Sequence, residues 1–288
     1  MNATFEIGAN FIWKNARLLE RVIFAYRFRA GSSTRILDVL RTYQNEDGGF
    51  GHALEPDLRS PDSQPLFAEF ALRTLYECNL RDSAIAFRVC DFLARHADLK
   101  RGIPAIFPSS SLYPRATHWN NPLSEQPSLD RMTGLVGLAN WQGARHPWLQ
   151  EAVEVCLENV TATRYSDAHT ILNAFSLVES VSRERSVDQL FDKLADELIK
   201  ADFFSPEAPV KGYALTPLNA APLPDSYIRR IFSDAQIEAH LDDLEAQQEA
   251  DGGWSIQWEP PGEMALQEWR AHKTVAALTT LRAYGRIC

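Results

Sequence analysis

One seven-residue phrase occurs twice in this chain, as Gln44-Asn45-Glu46-Asp47-Gly48-Gly49-Phe50 and as Gln248-Glu249-Ala250-Asp251-Gly252-Gly253-Trp254. Each copy follows a stretch with helical spacing, precedes a Pro-containing loop, and leads into another apolar helical stretch such as Ala71–Leu75 or Ala277–Leu281. A repeat of this kind marks one supersecondary unit used more than once. The glycines permit a sharp turn at the end of a helix, because positive φ carries no Cβ penalty there. The aspartate can accept backbone hydrogen bonds within the turn, and the glutamine can bridge to the next repeat. The aromatic residue fills the space between repeats.

Apolar residues recur at three- and four-residue spacing through 11–28, 36–43, 66–80, 85–93, 129–141, 149–160, 171–181, 190–203, 228–244 and 266–284, which predicts about ten helices. Alternating β-branched stretches are nearly absent, so an all-α single domain over 1–288 is expected. Four loops exceed the usual connection length, Gly51 to Gln64, Arg101 to Pro127, Ser205 to Asp225 and Ser255 to Glu263, and long loops in compact domains are often functional. The net charge of −9 argues against nonspecific nucleic-acid binding. Cys78, Cys90, Cys156 and Cys288 show no CxxC or disulfide spacing, and two of them read as core thiols of a reducing compartment. No run reaches the length of a membrane span, and Met1–Glu6 has no secretory pattern, so a cytoplasmic protein is expected.

The repeated phrase resembles the QW-type repeat of squalene and oxidosqualene cyclases, which occurs in degenerate form in protein prenyltransferase β-subunits. The resemblance covers about forty residues at each end, and in the middle it rests on helical periodicity and on Gly102-Ile103-Pro104 leading to Gly134-Leu135-Val136-Gly137-Leu138. It implies an α/α toroid, in which inner and outer helices alternate around a central cavity. The families' catalytic motifs do not carry over. Neither DxDD nor DDxxD is present, and Asp242-Asp243-Leu244-Glu245 reads more readily as a solvated helix face. Prenyltransferases bind zinc through Asp, Cys and His. Here His272 lies one position from the place of that histidine, which Lys273 occupies, and no Asp-x-Cys partner exists, so neither metal nor cofactor is expected.

Several residues could carry chemistry without a metal. Glu55-Pro56 and Glu259-Pro260 answer each other in the loops after the two copies, and Glu55, Asp57 and Glu259 would form an acid/base set if they converge. Alternatively they satisfy loop donors or pair with Arg59 and Arg270. His52 and His118 are candidate assistants, and Trp119, Trp258 and Trp269 either line a cavity, where they would stabilise positive charge, or close the core. His169 opens an inner-helix candidate. Phosphate recognition would fall to Arg59, Arg115, Arg131, Arg270 and Lys273. The expected function is a cyclase- or prenyltransferase-like enzyme acting on an apolar, isoprenoid-like small molecule by acid/base chemistry. The alternatives are a noncatalytic ligand-binding or protein-interaction toroid with a protein partner, and a carbohydrate-active toroid enzyme.

Overall fold

The computed structural model of the chain describes residues 3–210, 212 and 214–287. Among them the protein is all-α, with no β-strand and only isolated bridges within turns and between loops. The helices run in chain order as α1 (Ala3–Asn15), α2 (Leu18–Phe28), α3 (Thr34–Thr42), α4 (Pro65–Glu77), α5 (Ser83–His96) and α6 (Leu129–Trp141). They continue as α7 (Pro147–Ala162), α8 (Ala168–Val181), α9 (Asp188–Ile199), the one-turn α10 (Pro217–Ala220), α11 (Asp234–Ala246) and α12 (Glu263–Ala283). The apolar stretch 11–28 is two helices rather than one. The chain breaks at Arg17, whose extended backbone caps α2 while its guanidinium reaches Glu20 at 2.6 Å. Neither Gly nor Pro marks the break, so periodicity alone runs through it. The stretch 228–244 likewise separates into a short 3-10 turn at Arg229–Ile231 and α11, which starts from a Ser233/Gln236 capping box.

The chain divides into two compact units, one of Met1–Val39 with Ile199–Cys288 and one of Leu40–Leu198. In the Leu40–Leu198 unit, α4, α6 and α8 pack side by side, with α5 and α7 against them. Helices α6 and α8 run parallel, since Asn173 reaches the Asp130 carbonyl near one end and Asn140 reaches Ser180 near the other, at 3.3 and 3.2 Å. Gly134 and Gly137 permit this approach. A Cβ on Gly137 would lie 2.7 Å from the Leu177 backbone, and one on Gly134 would lie 2.5 Å from the Asn173 side chain. Cys78, Cys90 and Cys156 are buried free thiols, and burial pushes Cys90 up to about 12 and Cys156 up to about 11. Cys288, like Met1 and Asn2, lies outside the described residues.

In the other unit, α12 packs against α1 and α2, with α11 beside α12. Its core includes Phe5, Phe11, Phe24 and Ile12, and the ring centroids of Phe5 and Phe24 are 6.0 Å apart. No helix among the described residues is long and apolar enough to cross a membrane.

The two copies of the repeated phrase build the same turn, one in each unit. Gly48 and Gly252 take φ of 88° and 93°. The second glycine is needed for space rather than for φ: a Cβ on Gly49 would lie 2.6 Å from Ser63, and one on Gly253 would lie 2.8 Å from Phe11. Asp47 and Asp251 each accept the following Gly49 or Gly253 amide at 3.0 Å. Gln44 donates to the Gly48 carbonyl at 2.9 Å and to Ile85 in the first turn of α5 at 3.4 Å. Gln248 donates to the Gly252 carbonyl at 3.0 Å and to Thr4 in the first turn of α1 at 2.9 Å. Phe50 and Trp254 are buried.

Candidate functional site

In the Leu40–Leu198 unit the long loops are knitted together rather than loose. The loop after the first copy pairs with residues 114–116 through Arg59 N to the Pro114 carbonyl at 2.9 Å and Ala116 N to the Asp57 carbonyl at 2.8 Å. This pairing brings Asp57 to His118. The Asp57 carboxylate is 3% exposed and lies 3.6 Å from His118 Nε2, whereas the His118 side chain is 45% exposed. At that distance the contact is electrostatic rather than a formed hydrogen bond. Burial holds the His118 ring below its ordinary value of 6.5 against the opposing pull of Asp57, so a neutral imidazole faces solvent at pH 7.

The His118 ring packs on Trp119 with centroids 4.9 Å apart, and the Arg131 guanidinium stands 6.0 Å from the Trp119 ring. Trp119 is buried, and its indole Nε1–H has no acceptor among the described residues. Arg131 sits in the first turn of α6, where the helix dipole disfavours a cation. Among the described residues it has neither a hydrogen bond nor a carboxylate within 4 Å. Its field reaches Glu69 on α4 and His169 in the first turn of α8. Burial would raise the Glu69 carboxyl, but Arg73, Arg131 and His169 override it and hold the group below its ordinary value. Arg73 reaches Glu69 at 3.0 Å and Asn173 on α8 at 3.4 Å. Burial and Arg131 together lower the His169 ring. Farther along the same helices, Tyr76 donates to Glu179 at 2.6 Å.

Asp57, His118, Trp119, Arg131 and His169 thus join one polar wall at the starts of α6 and α8 and in the loops beside them. Glu69 and Arg73 complete it. Their sequence signal is a pair of charges at i, i+4 inside the apolar run Leu66–Leu75. The other candidates serve the loops. The Glu55 carboxylate accepts the Asp57 amide at 2.9 Å, and Arg115 clamps Ser110 and Asn120 at 2.7 and 2.9 Å. His52 meets Asn45 at 2.9 Å, and its backbone takes a φ of 60°. Arg59 is half-buried and carries the backbone pairing with Pro114.

Six candidates belong to the other unit. Trp258 and Trp269 meet edge to face with centroids 5.2 Å apart, His272 packs on Trp269 at 5.5 Å, and Lys273 Nζ lies 5.9 Å from the Trp258 ring. Glu259 is exposed there, outside the unit that holds Glu55 and Asp57. Arg270 is committed to the second turn, with 2.9 and 2.8 Å bonds to Asp251 and a 2.7 Å bond to Glu249. Among the described residues no three His, Cys, Asp or Glu side chains cluster as a metal site requires.

No protein-family model and no curated protein matches the chain. A crystal structure of a protein from Actinoplanes is similar to it in fold, with a TM-score of 0.57, 17% identity and 98% of each chain covered. At that identity the likeness extends to the fold alone.

Proposed function

We propose that the polar wall of the Leu40–Leu198 unit is an acid/base site for a hydroxylated small molecule that carries a negative charge, of the sugar-acid class. Arg131 is the single observation that carries the reading, as a half-buried guanidinium without a paired carboxylate, set beside an aromatic face. Such a group costs desolvation unless a ligand anion meets it. Trp119 is the buried aromatic support behind His118 and Arg131. His118, oriented by buried Asp57, is the proton acceptor, and its lowered pKa keeps it in the accepting form at neutral pH. Glu69, Arg73 and His169 give the wall the hydrogen-bonding character that sugar hydroxyls require and a hydrocarbon chain does not.

A second reading keeps an isoprenoid ligand. The Trp258–Trp269 pair, with Lys273 beside it, supports an aromatic site for an apolar tail with an anionic head. Both readings use an α/α toroid in a soluble cytoplasmic protein.

Thermal unfolding against uronic-acid oligosaccharides, their neutral counterparts and prenyl diphosphates separates the readings. A ligand at about a hundred times its dissociation constant adds roughly 2.7 kcal/mol. The sugar-acid reading expects a shift with uronates alone, lost in Arg131→Ala, and turnover lost in His118→Asn with binding kept. Equal shifts from neutral sugars, or a uronate shift that survives Arg131→Ala, would sink it. A shift confined to prenyl diphosphates would favour the second reading.

A further inference from the structure

The two turns share a frame but treat their aspartates differently. Offset by the repeat, Asp251 corresponds to Asp47, and Phe11 on α1 corresponds to Phe92 on α5. The Cβ positions of Gly253 and Gly49 meet those two rings at 2.8 and 2.9 Å. In the second turn the Arg270 guanidinium bonds both oxygens of Asp251 and lies 4.6 Å from the Phe11 ring centroid. In the first turn the downstream alignment puts Gln64 at the place of Arg270. Gln64 turns away, accepting from Phe107 N at 2.7 Å and donating to Ser109 at 3.1 Å. Ser63 satisfies one oxygen of Asp47 at 2.7 Å. The second oxygen, Oδ2, accepts no hydrogen bond among the described residues.

Beside Asp47 opens a cavity of about 430 Å³, lined by Asp47, Asp62, Ser63, Phe92, His96 and Phe107. Its aromatic side is preassembled, with His96 and Phe107 at 4.9 and 6.0 Å from the Phe92 ring. Burial and Arg95 together lower His96, which leaves that ring neutral at pH 7. The guanidinium of Arg95 is engaged on the Asp47 carbonyl, and that of Arg88 on the carbonyls of Asn45 and Glu46. The carboxylates of Asp47 and Asp62 are therefore the charged groups on the cavity's own lining.

We propose that this cavity is a binding site for a guanidinium group on a short aliphatic stem, held by the Asp47 carboxylate against the aromatic side where His96 and Phe107 cover the buried Phe92 ring, much as Asp251 holds Arg270 beside Phe11. The molecule supplies its own precedent, because the same aspartate and phenylalanine of the repeat already grip an arginine in the other copy. A planar donor with paired N–H groups fits a carboxylate beside an aromatic face better than a compact ammonium does. The cavity lies beside α5 and shares no lining residue with the polar wall. The proposal therefore stands apart from the sugar-acid reading.

The test is calorimetric or NMR titration of the full chain with N-acetyl-arginine amide, its lysine and citrulline counterparts, and a short arginine-containing peptide. The expected result is saturable binding of the arginine compound, at least tenfold weaker for citrulline, which keeps the shape and loses the charge. Asp47→Asn keeps an oxygen for the Gly49 amide and should weaken binding at least tenfold. Ser63→Met, which fills the cavity mouth, should abolish it. Tighter binding of the peptide than of the amide would point to an arginine presented by a protein, and equal binding to a free guanidino compound. Absence of arginine binding at millimolar concentration, or equal binding of citrulline by the wild-type chain, overturns the proposal even if a variant fails to fold.

Discussion

In the turn at Gln248–Trp254 the aspartate is closed on both oxygens by Arg270, whereas in the turn at Gln44–Phe50 the same aspartate is closed on one oxygen by Ser63. Within the seven residues the backbone hydrogen bonds are the same. Both turns bridge glutamine to aromatic residue, place the first glycine at positive φ, and press that glycine against the carbonyl of the neighbouring helix. The contrast separates two jobs within one motif. Backbone bonds, glycine and the aromatic plug make the turn and are shared. The ring of side chains around the aspartate is free to vary, and there a fold can acquire a site without loss of its frame.

The largest expected effect tests the shared part. A Cβ on Gly48 would fall 2.1 Å from the Arg88 carbonyl oxygen, and one on Gly252 would fall 2.3 Å from that of Ile7. Alanine at either position combines a left-handed backbone with a backbone collision, so each should cost about 3 kcal/mol or more in urea unfolding. Similar losses in the two variants sharpen the comparison. A loss below about 1 kcal/mol in either would mean that its turn is not held by this close approach.

The next effect tests the part that differs. Arg270→Met should cost about 1–2 kcal/mol, a figure discounted for the half-exposed carboxylates it serves, while Ser63→Ala should cost less than about 1 kcal/mol. The Arg270 hydrogen bonds hold Asp251 below its ordinary value of 3.8. Its stabilisation is therefore complete above that value and is lost as the pH falls through the depressed one. The gap between wild type and Arg270→Met should be full at pH 6 and close on acidification below about pH 4. A gap that persists unchanged at pH 2 would assign the loss to packing against Phe11 rather than to the ion pair.

The same division explains what the chain made legible. The shared frame could be read from Gln, Asp, Gly-Gly and an aromatic at fixed spacing, because each carries a local physical requirement. The helices followed from periodicity, except at Arg17, where the break is made by a side chain reaching Glu20 rather than by a breaker residue. The candidate site was legible only in pieces. Asp57, His118, Trp119, Arg131 and His169 could be named singly as polar or aromatic groups in loops and at helix starts. Their meeting depends on pairing between loops more than fifty residues apart, such as Arg59 with Pro114, and no local spacing encodes that. Glu69 and Arg73 stayed hidden because they sit inside the apolar face of α4, and the place of Arg270 as the filler of a turn could not be read because it depends on α12 passing that turn.

The smallest effect tests whether the shared frame is equally tight in both places. Gln248 donates to Thr4 at 2.9 Å, whereas Gln44 reaches Ile85 at 3.4 Å, near the limit for a hydrogen bond. Both keep their bond to the first glycine's carbonyl, at 3.0 and 2.9 Å. Gln248→Ala removes two good bonds and should cost about 1–2 kcal/mol, while Gln44→Ala removes one good and one poor bond and should cost about 0.5–1 kcal/mol. Urea midpoints at constant slope would resolve that difference. If Gln44→Ala proved the costlier, the long contact to Ile85 would be a full bond in solution. The asymmetry between the turns would then be confined to their aspartates, and the Arg270 and Ser63 comparison would carry the whole distinction.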